Sequence, residues 1–129
     1  MDYLQAWDKY KDLTYDQLPD AVIKVANQCI LDWFGCAFAG SGEPLAGILR
    51  QVFGHRSGSC SVVGSELQLD AQTAALLNGA SGHALDYDDT GARTNCHSTA
   101  PVFPAALAIA EEIGMTGKEL ITAFVVGVE

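Results

Sequence analysis

Between Pro19 and Gly40 the chain carries apolar residues at helical spacing over an unusually wide arc. Val22, Ala26, Cys29, Trp33 and Ala37 recur three and four residues apart, and Ile23, Ile30, Phe34 and Phe38 widen the stripe. A helix apolar over so much of its surface must be covered on most sides, so the rest of the chain has to wrap around it. Pro19 suits a helix start, and Gly40 and Gly42 end the segment.

The wrapping elements also read as helices. Pro44 starts a shorter one that runs to about Phe53. Asp70 is placed to cap a helix through Ala71, Ala74, Ala75, Leu76 and Leu77. The pairs Asn78-Gly79 and Ser81-Gly82 either interrupt that helix or let another approach it closely. Ser98 or Thr99 caps the next, with Pro101 in its first turn and Gly114 at its end. Thr116 and Glu119 match the capping-box pattern for a last helix. That helix is apolar almost all round from Leu120 to Val128, so it needs neighbours, and the chain reads as truncated within it. Residues 1–18 form a short leading helix or arm, and residues 54–69 hold the one strand-like stretch, Ser61-Val62-Val63. The expected fold is all-α, mainly helical, with one short strand-like segment, as a single domain over residues 1–129.

Composition narrows the partners. Sixteen acidic and seven basic residues give a net charge of −9, which argues against a nucleic-acid backbone or an anionic membrane. No apolar run reaches the roughly 18 residues that span a bilayer, and the first residues lack a signal-peptide pattern. The four cysteines form no C-x-x-C pair, which argues against a zinc site built on them and for a reducing, cytoplasmic setting.

One segment could carry chemistry. His83-Ala84-Leu85-Asp86-Tyr87-Asp88-Asp89-Thr90 is followed by Gly91-Ala92-Arg93-Thr94-Asn95-Cys96-His97-Ser98, with largely apolar flanks. It contains histidines, aspartates, threonines and an arginine but no Lys or Glu, unlike an ordinary solvated helix face. On a helix, Asp86 and Thr90 share a face, as do His83 and Asp86. His97 stands just before a helix N-terminus, where an imidazole can meet a substrate carboxylate with help from helix N–H groups, or act as acid or base. Asp88 and Asp89 read as caps of a helix end or turn, and Arg93 as a surface ion-pair partner or a carboxylate binder. Asp86 to Thr90 also fits the D-x-D-x-T pattern of haloacid-dehalogenase-like, Mg²⁺-dependent phosphotransferases. That pattern needs an apolar strand leading into the first aspartate, and Asn78 to Leu85 makes a poor one.

Asn78-Gly79 with His83-Ala84-Leu85-Asp86-Tyr87-Asp88-Asp89-Thr90 resembles the signature of the MmgE/PrpD family. So do His97-Ser98-Thr99-Ala100-Pro101-Val102-Phe103-Pro104, Gly117-Lys118-Glu119-Leu120 and the earlier Leu31-Asp32-Trp33-Phe34-Gly35-Cys36. The resemblance covers nearly the whole chain from about Leu18. It implies the N-terminal part of a large helical domain, usually in a homodimer, that works on small polycarboxylates without metal or organic cofactor. The family's reactions, of which 2-methylcitrate dehydration is the leading expectation here, move a proton next to a carboxylate or decarboxylate. By motif match, Asp86, Thr90 and His97 fall on catalytic positions, with His83 and Arg93 as substrate-binding candidates. Ser98 stands where the family usually has proline. Family members run to several hundred residues, with a further catalytic histidine and lysines downstream, so the 129-residue chain is expected to be inactive alone. The remaining alternative is a non-catalytic, truncated helical module.

Overall fold

In a computed structural model, residues 3–91 and 95–129 are described, and they are mainly helical. The order is α1 (Tyr3–Tyr10), a 3-10 turn (Tyr15–Gln17), α2 (Asp20–Gly40), α3 (Pro44–Phe53), β1 (Cys60–Ser61), β2 (Gln68–Leu69), α4 (Ala71–His83), α5 (Thr99–Ile113) and α6 (Gly117–Val128). β1 and β2 pair antiparallel, Cys60 opposite Leu69. The strand-like stretch is thus shorter than expected and lies one residue earlier, with Val62 and Val63 past its end.

The helix ends follow local chemistry. Pro44 opens α3. The Asp70 carboxylate accepts the Thr73 N–H, and its acidity is raised chiefly by the Thr73 hydroxyl hydrogen bond. Thr116 and Glu119 form the reciprocal capping box of α6. Gly114 ends α5 in the left-handed conformation, φ 72°, where an L side chain is strained.

Helix α4 is the central element. Its buried residues are small or of middle size: Ala71, Thr73, Ala74, Leu77, Asn78, Ser81 and Gly82. It packs against α2, α3 and α5. At Gly40 of α2 a Cβ would collide with the Ser81 carbonyl, so the two backbones touch there. Two turns earlier on the same α2 face, the Trp33 indole lies on Gly82, where a Cβ would stand 2.6 Å from Nε1. Gly79 faces the Ala100 carbonyl and Pro104 of α5. The glycine and serine pairs of α4 therefore do not interrupt the helix; they are its crossing points.

Around these crossings sits an aromatic core. Trp33 and Phe103 are each 1% exposed. Their rings meet edge-to-face at 4.9 Å, with Phe34 at 5.1 Å from Trp33 and Phe124 at 5.6 Å from Phe103. Full burial of each large side chain is worth about 1.5–3 kcal/mol, and each ring pair adds about 0.5–1.5 kcal/mol. A second core of Cys60, Val62, Leu69, Ala74, Leu77 and Ala108 lies under the small sheet. Buried Asn78 pins that sheet: its Oδ1 accepts the Val63 N–H and its Nδ2 donates to the Ser61 carbonyl, both at 2.8 Å.

Helix α6 departs from the expectation of an uncovered last helix. Thr122, Phe124 and Val125 are buried, and α2 and α5 supply the neighbours. The large exposed apolar side chains are instead mostly on α2, α3 and α5, among them Leu31, Phe38, Ile48, Val52 and Ile113.

Two glycine substitutions should separate packing from helix propensity. Gly40→Ala is expected to lose at least about 1–3 kcal/mol by overpacking against Ser81. Gly35→Ala, with nothing within 4 Å of its Cβ, should gain about 0.5–1 kcal/mol. Urea unfolding of both variants reads the difference.

Candidate active site

The end of α4 builds one wall of the site. His83 is its last residue. The Ala84 N–H bonds the Ser81 carbonyl at 3.3 Å and the Asp86 N–H bonds the His83 carbonyl at 3.1 Å, which winds the chain out of the helix. Asp86 then takes φ 54°, a left-handed conformation that aspartate tolerates better than most residues. The chain reverses, and Asp88 returns beneath the His83 ring. This corrects the expectation that Asp86 and Thr90 share a helix face: the helix stops at His83 and a turn brings the residues together. It also removes the phosphotransferase reading, because a helix leads toward Asp86 where that pattern needs a strand.

The second wall is the approach to α5. Gly91 and Cys96 pair antiparallel; the Gly91 N–H bonds the Cys96 carbonyl at 3.0 Å, and the Asn95 N–H bonds the Gly91 carbonyl at 2.8 Å. Asn95 takes φ 49° to make that closure. The closed loop sets Thr90 beside His97, with Thr90 Oγ1 3.5 Å from Nε2. Arg93, the other substrate-binding candidate, lies outside the described residues. Ser98 occupies the N-cap of α5 without a side-chain cap bond. The Thr99 hydroxyl instead donates to Asp89 Oδ2 at 2.6 Å, placing a carboxylate at the positive end of the helix.

Four groups converge between these walls. The Asp88 side chain is 1% exposed and lies behind both imidazoles. Its Oδ1 is 2.9 Å from His83 Nδ1, and its Oδ2 is 3.2 Å from His97 Nδ1. The second contact is poorly aligned, so Asp88 Oδ2 and His97 Nδ1 are buried without a formed hydrogen bond. The rings meet edge-to-face at 4.7 Å. On their other edge, Asp86 Oδ1 stands 3.9 Å from His83 Nε2 and 3.7 Å from His97 Nε2. The Asp86 side chain is 78% exposed, so that edge opens to solvent.

The tautomers follow from chemistry. An ionised carboxylate only accepts, so a ring nitrogen bonded to Asp88 carries the proton. A neutral His83 ring therefore holds its proton on Nδ1 and presents an Nε2 lone pair beside Asp86. Sequence reasoning brought His83, Asp86, Thr90 and His97 to this spot but read Asp88 as a cap. No spacing rule reveals Asp88, because its role depends on where α4 stops.

Asp89 serves a different surface. It joins Cys29, Ser98, Thr99, Val22, Val125 and others around a cleft of about 440 Å³ between α2 and α6. Burial first, and then the Asp89 charge, push the Cys29 thiol up, which keeps it protonated and poorly nucleophilic. A larger cleft of about 1060 Å³ lies between α1, the 3-10 turn and α6, and no histidine or aspartate lines it.

Residues 7–129 match the MmgE/PrpD N-terminal domain. The chain belongs to the MmgE/PrpD family. Curated relatives include cis-aconitate decarboxylase of Aspergillus terreus, 30% identical over 125 residues covering 92% of this chain. The cis-aconitate decarboxylases of Homo sapiens and Mus musculus are 30% and 28% identical over 124 residues, covering 91% of this chain. This MmgE/PrpD chain spans about a quarter of the length of these relatives, 26% of the first. Among the described residues no helix is long and apolar enough to cross a membrane.

The tautomer assignment is open to direct test. Two-bond ¹H–¹⁵N spectra of the neutral rings should show His83 protonated at Nδ1. Asp88→Asn, whose amide can donate to a ring nitrogen, should shift the His83 ring to the Nε2-protonated form. Unchanged ring spectra in that variant would remove Asp88 from its orienting role.

Proposed function

We propose that this chain carries the proton-handling half of the active site of a lyase acting on a small polycarboxylate. The observation that supports this most is the pair of Nε2 atoms beside exposed Asp86, with buried Asp88 bonded to His83 and 3.2 Å from His97 behind them. Such a pair can give a proton to, or take one from, a carbon next to a carboxylate.

In this reading His97 is the acid–base group and Asp86 and Thr90 orient substrate beside it. His83 binds substrate from the facing ring, and Arg93 meets a substrate carboxylate. The relatives named as cis-aconitate decarboxylases favour decarboxylation over the dehydration first expected from the motif. In a decarboxylation the carbon–carbon bond to the carboxylate breaks, carbon dioxide leaves and the electron pair stays on carbon. His97, entering the step as the imidazolium with a proton on each ring nitrogen, delivers the Nε2 proton that quenches it and is left neutral. No Lys or Arg among the described residues pairs with this cluster, and such a substrate needs positive charge there. Among the described residues Arg56 pairs with Asp70 at 2.8 Å and Lys118 with Asp16 at 2.9 Å, both outside this cluster. The further cationic contacts come from chain beyond these residues or from the second subunit of a homodimer.

In the full-length protein, His97→Ala is expected to lower kcat by about 10²–10⁴-fold, the usual contribution of a positioned acid or base. Its circular dichroism should be unchanged. Assays with cis-aconitate and 2-methylcitrate measure it, and near-wild-type turnover in the variant would end the assignment.

A further inference from the structure

We propose that His83, Asp86 and His97 bind a divalent transition-metal ion of the Zn²⁺ class through His83 Nε2, His97 Nε2 and Asp86 Oδ1, with Asp88 as the outer support. Among the described residues, His83, Asp86, Asp88 and His97 each offer a ligand atom, all within 4.8 Å of one another. Around zinc with bonds near 2.0–2.1 Å, tetrahedral ligands stand about 3.3–3.4 Å apart. The two Nε2-to-Asp86 distances, 3.9 and 3.7 Å, exceed that by a few tenths of an ångström. A small rotation of the exposed Asp86 side chain closes the gap.

A second observation points the same way. Asp88 is buried, and its Oδ2 faces His97 Nδ1 at 3.2 Å without a formed bond. A metal on Nε2 makes the Nδ1–H a stronger donor and fixes the ring, which completes this half-made contact. Metal-ligating histidines almost always rest on such a carboxylate or carbonyl. The last turn of α4, at His83, adds the negative end of a helix dipole. Two imidazoles and one carboxylate suit zinc, cobalt, nickel or copper; magnesium and calcium prefer oxygen ligands throughout. The three ligands leave a fourth position open to water or to a carboxylate.

Metal on both Nε2 atoms ties up the lone pairs used for proton transfer, so it should stop turnover. That consequence rests on the proposed lyase reading; the binding itself does not. The test is titration of metal-stripped, tag-free protein with Co²⁺, read by visible d–d absorption, and with Zn²⁺ by calorimetry. One equivalent should bind with a four- or five-coordinate spectrum, undisturbed by millimolar Mg²⁺. Asp86→Asn, at an exposed position, and His83→Ala should each weaken binding at least tenfold, and Asp88→Asn about 10–100-fold. No 1:1 binding, displacement by Mg²⁺, or unchanged affinity in Asp86→Asn and His83→Ala would overturn the site. Tight binding that leaves or raises turnover would keep the site and overturn the proton-transfer reading.

Discussion

The close crossing of α2 over α4 governs both the core and the site. Gly40 meets the Ser81 backbone and Trp33 lies on Gly82, so the long apolar helix can approach α4 only because α4 has almost no side chains there. His83 is the next residue after that contact. The crossing fixes the axis of α4, and with it the position of an imidazole whose ring is otherwise half-exposed. The Trp33 indole N–H is left without a hydrogen bond in this contact, which costs about 1–3 kcal/mol. Burial of the ring against Phe34 and Phe103 offsets that loss. The core thus accepts a polar defect to keep the helix pair close.

Asp88 links this packing to chemistry. A buried carboxylate with one aligned partner and one misaligned partner is costly unless the surroundings hold it in place. Here the turn after α4 and the bridge before α5 set the two imidazoles at its two oxygens. Neither wall alone makes the site. The left-handed residues Asp86 and Asn95 mark the two places where the backbone bends to bring the walls together. Strain of about 1–3 kcal/mol at such residues is usual where a loop positions reactive groups.

The helices were legible because their signals are local. Pro44, Asp70, Gly114 and the Thr116–Glu119 box act within one turn of their own position, and each does what its residue type suggests. The polar composition of residues 83–98 marked the site for a similar reason: it breaks the pattern of its neighbours. The parts that were misread depend on distant contacts. The helical spacing assigned to Asp86 and Thr90 assumed that α4 continues, and its end at His83 comes from packing and the turn that follows. Asp88 looked like a cap because a lone aspartate after a helix usually is one. The last helix looked uncovered because the spacing of apolar residues within it does not show which helices pack on it: α5, the element just before it, and α2, far away in sequence.

The charge at the site decides what can enter it. Asp89 is held by the Thr99 hydroxyl and Asp88 is buried behind the two imidazoles, so Asp86 is the exposed carboxylate of the cluster. Two like charges 4 Å apart near a protein surface repel by about 4 kcal/mol, and opposite charges attract by as much. An anionic substrate therefore needs at least one cation to offset Asp86 before it reaches either Nε2, and more for each further carboxylate. A divalent metal needs none. The proposed metal site and the proposed polycarboxylate site are thus separated by charge: the three atoms alone suit a cation, and a polycarboxylate requires further basic side chains around them. In the proposed reading the two imidazoles and Asp86 come from this chain, while the choice of occupant depends on charges brought in from elsewhere.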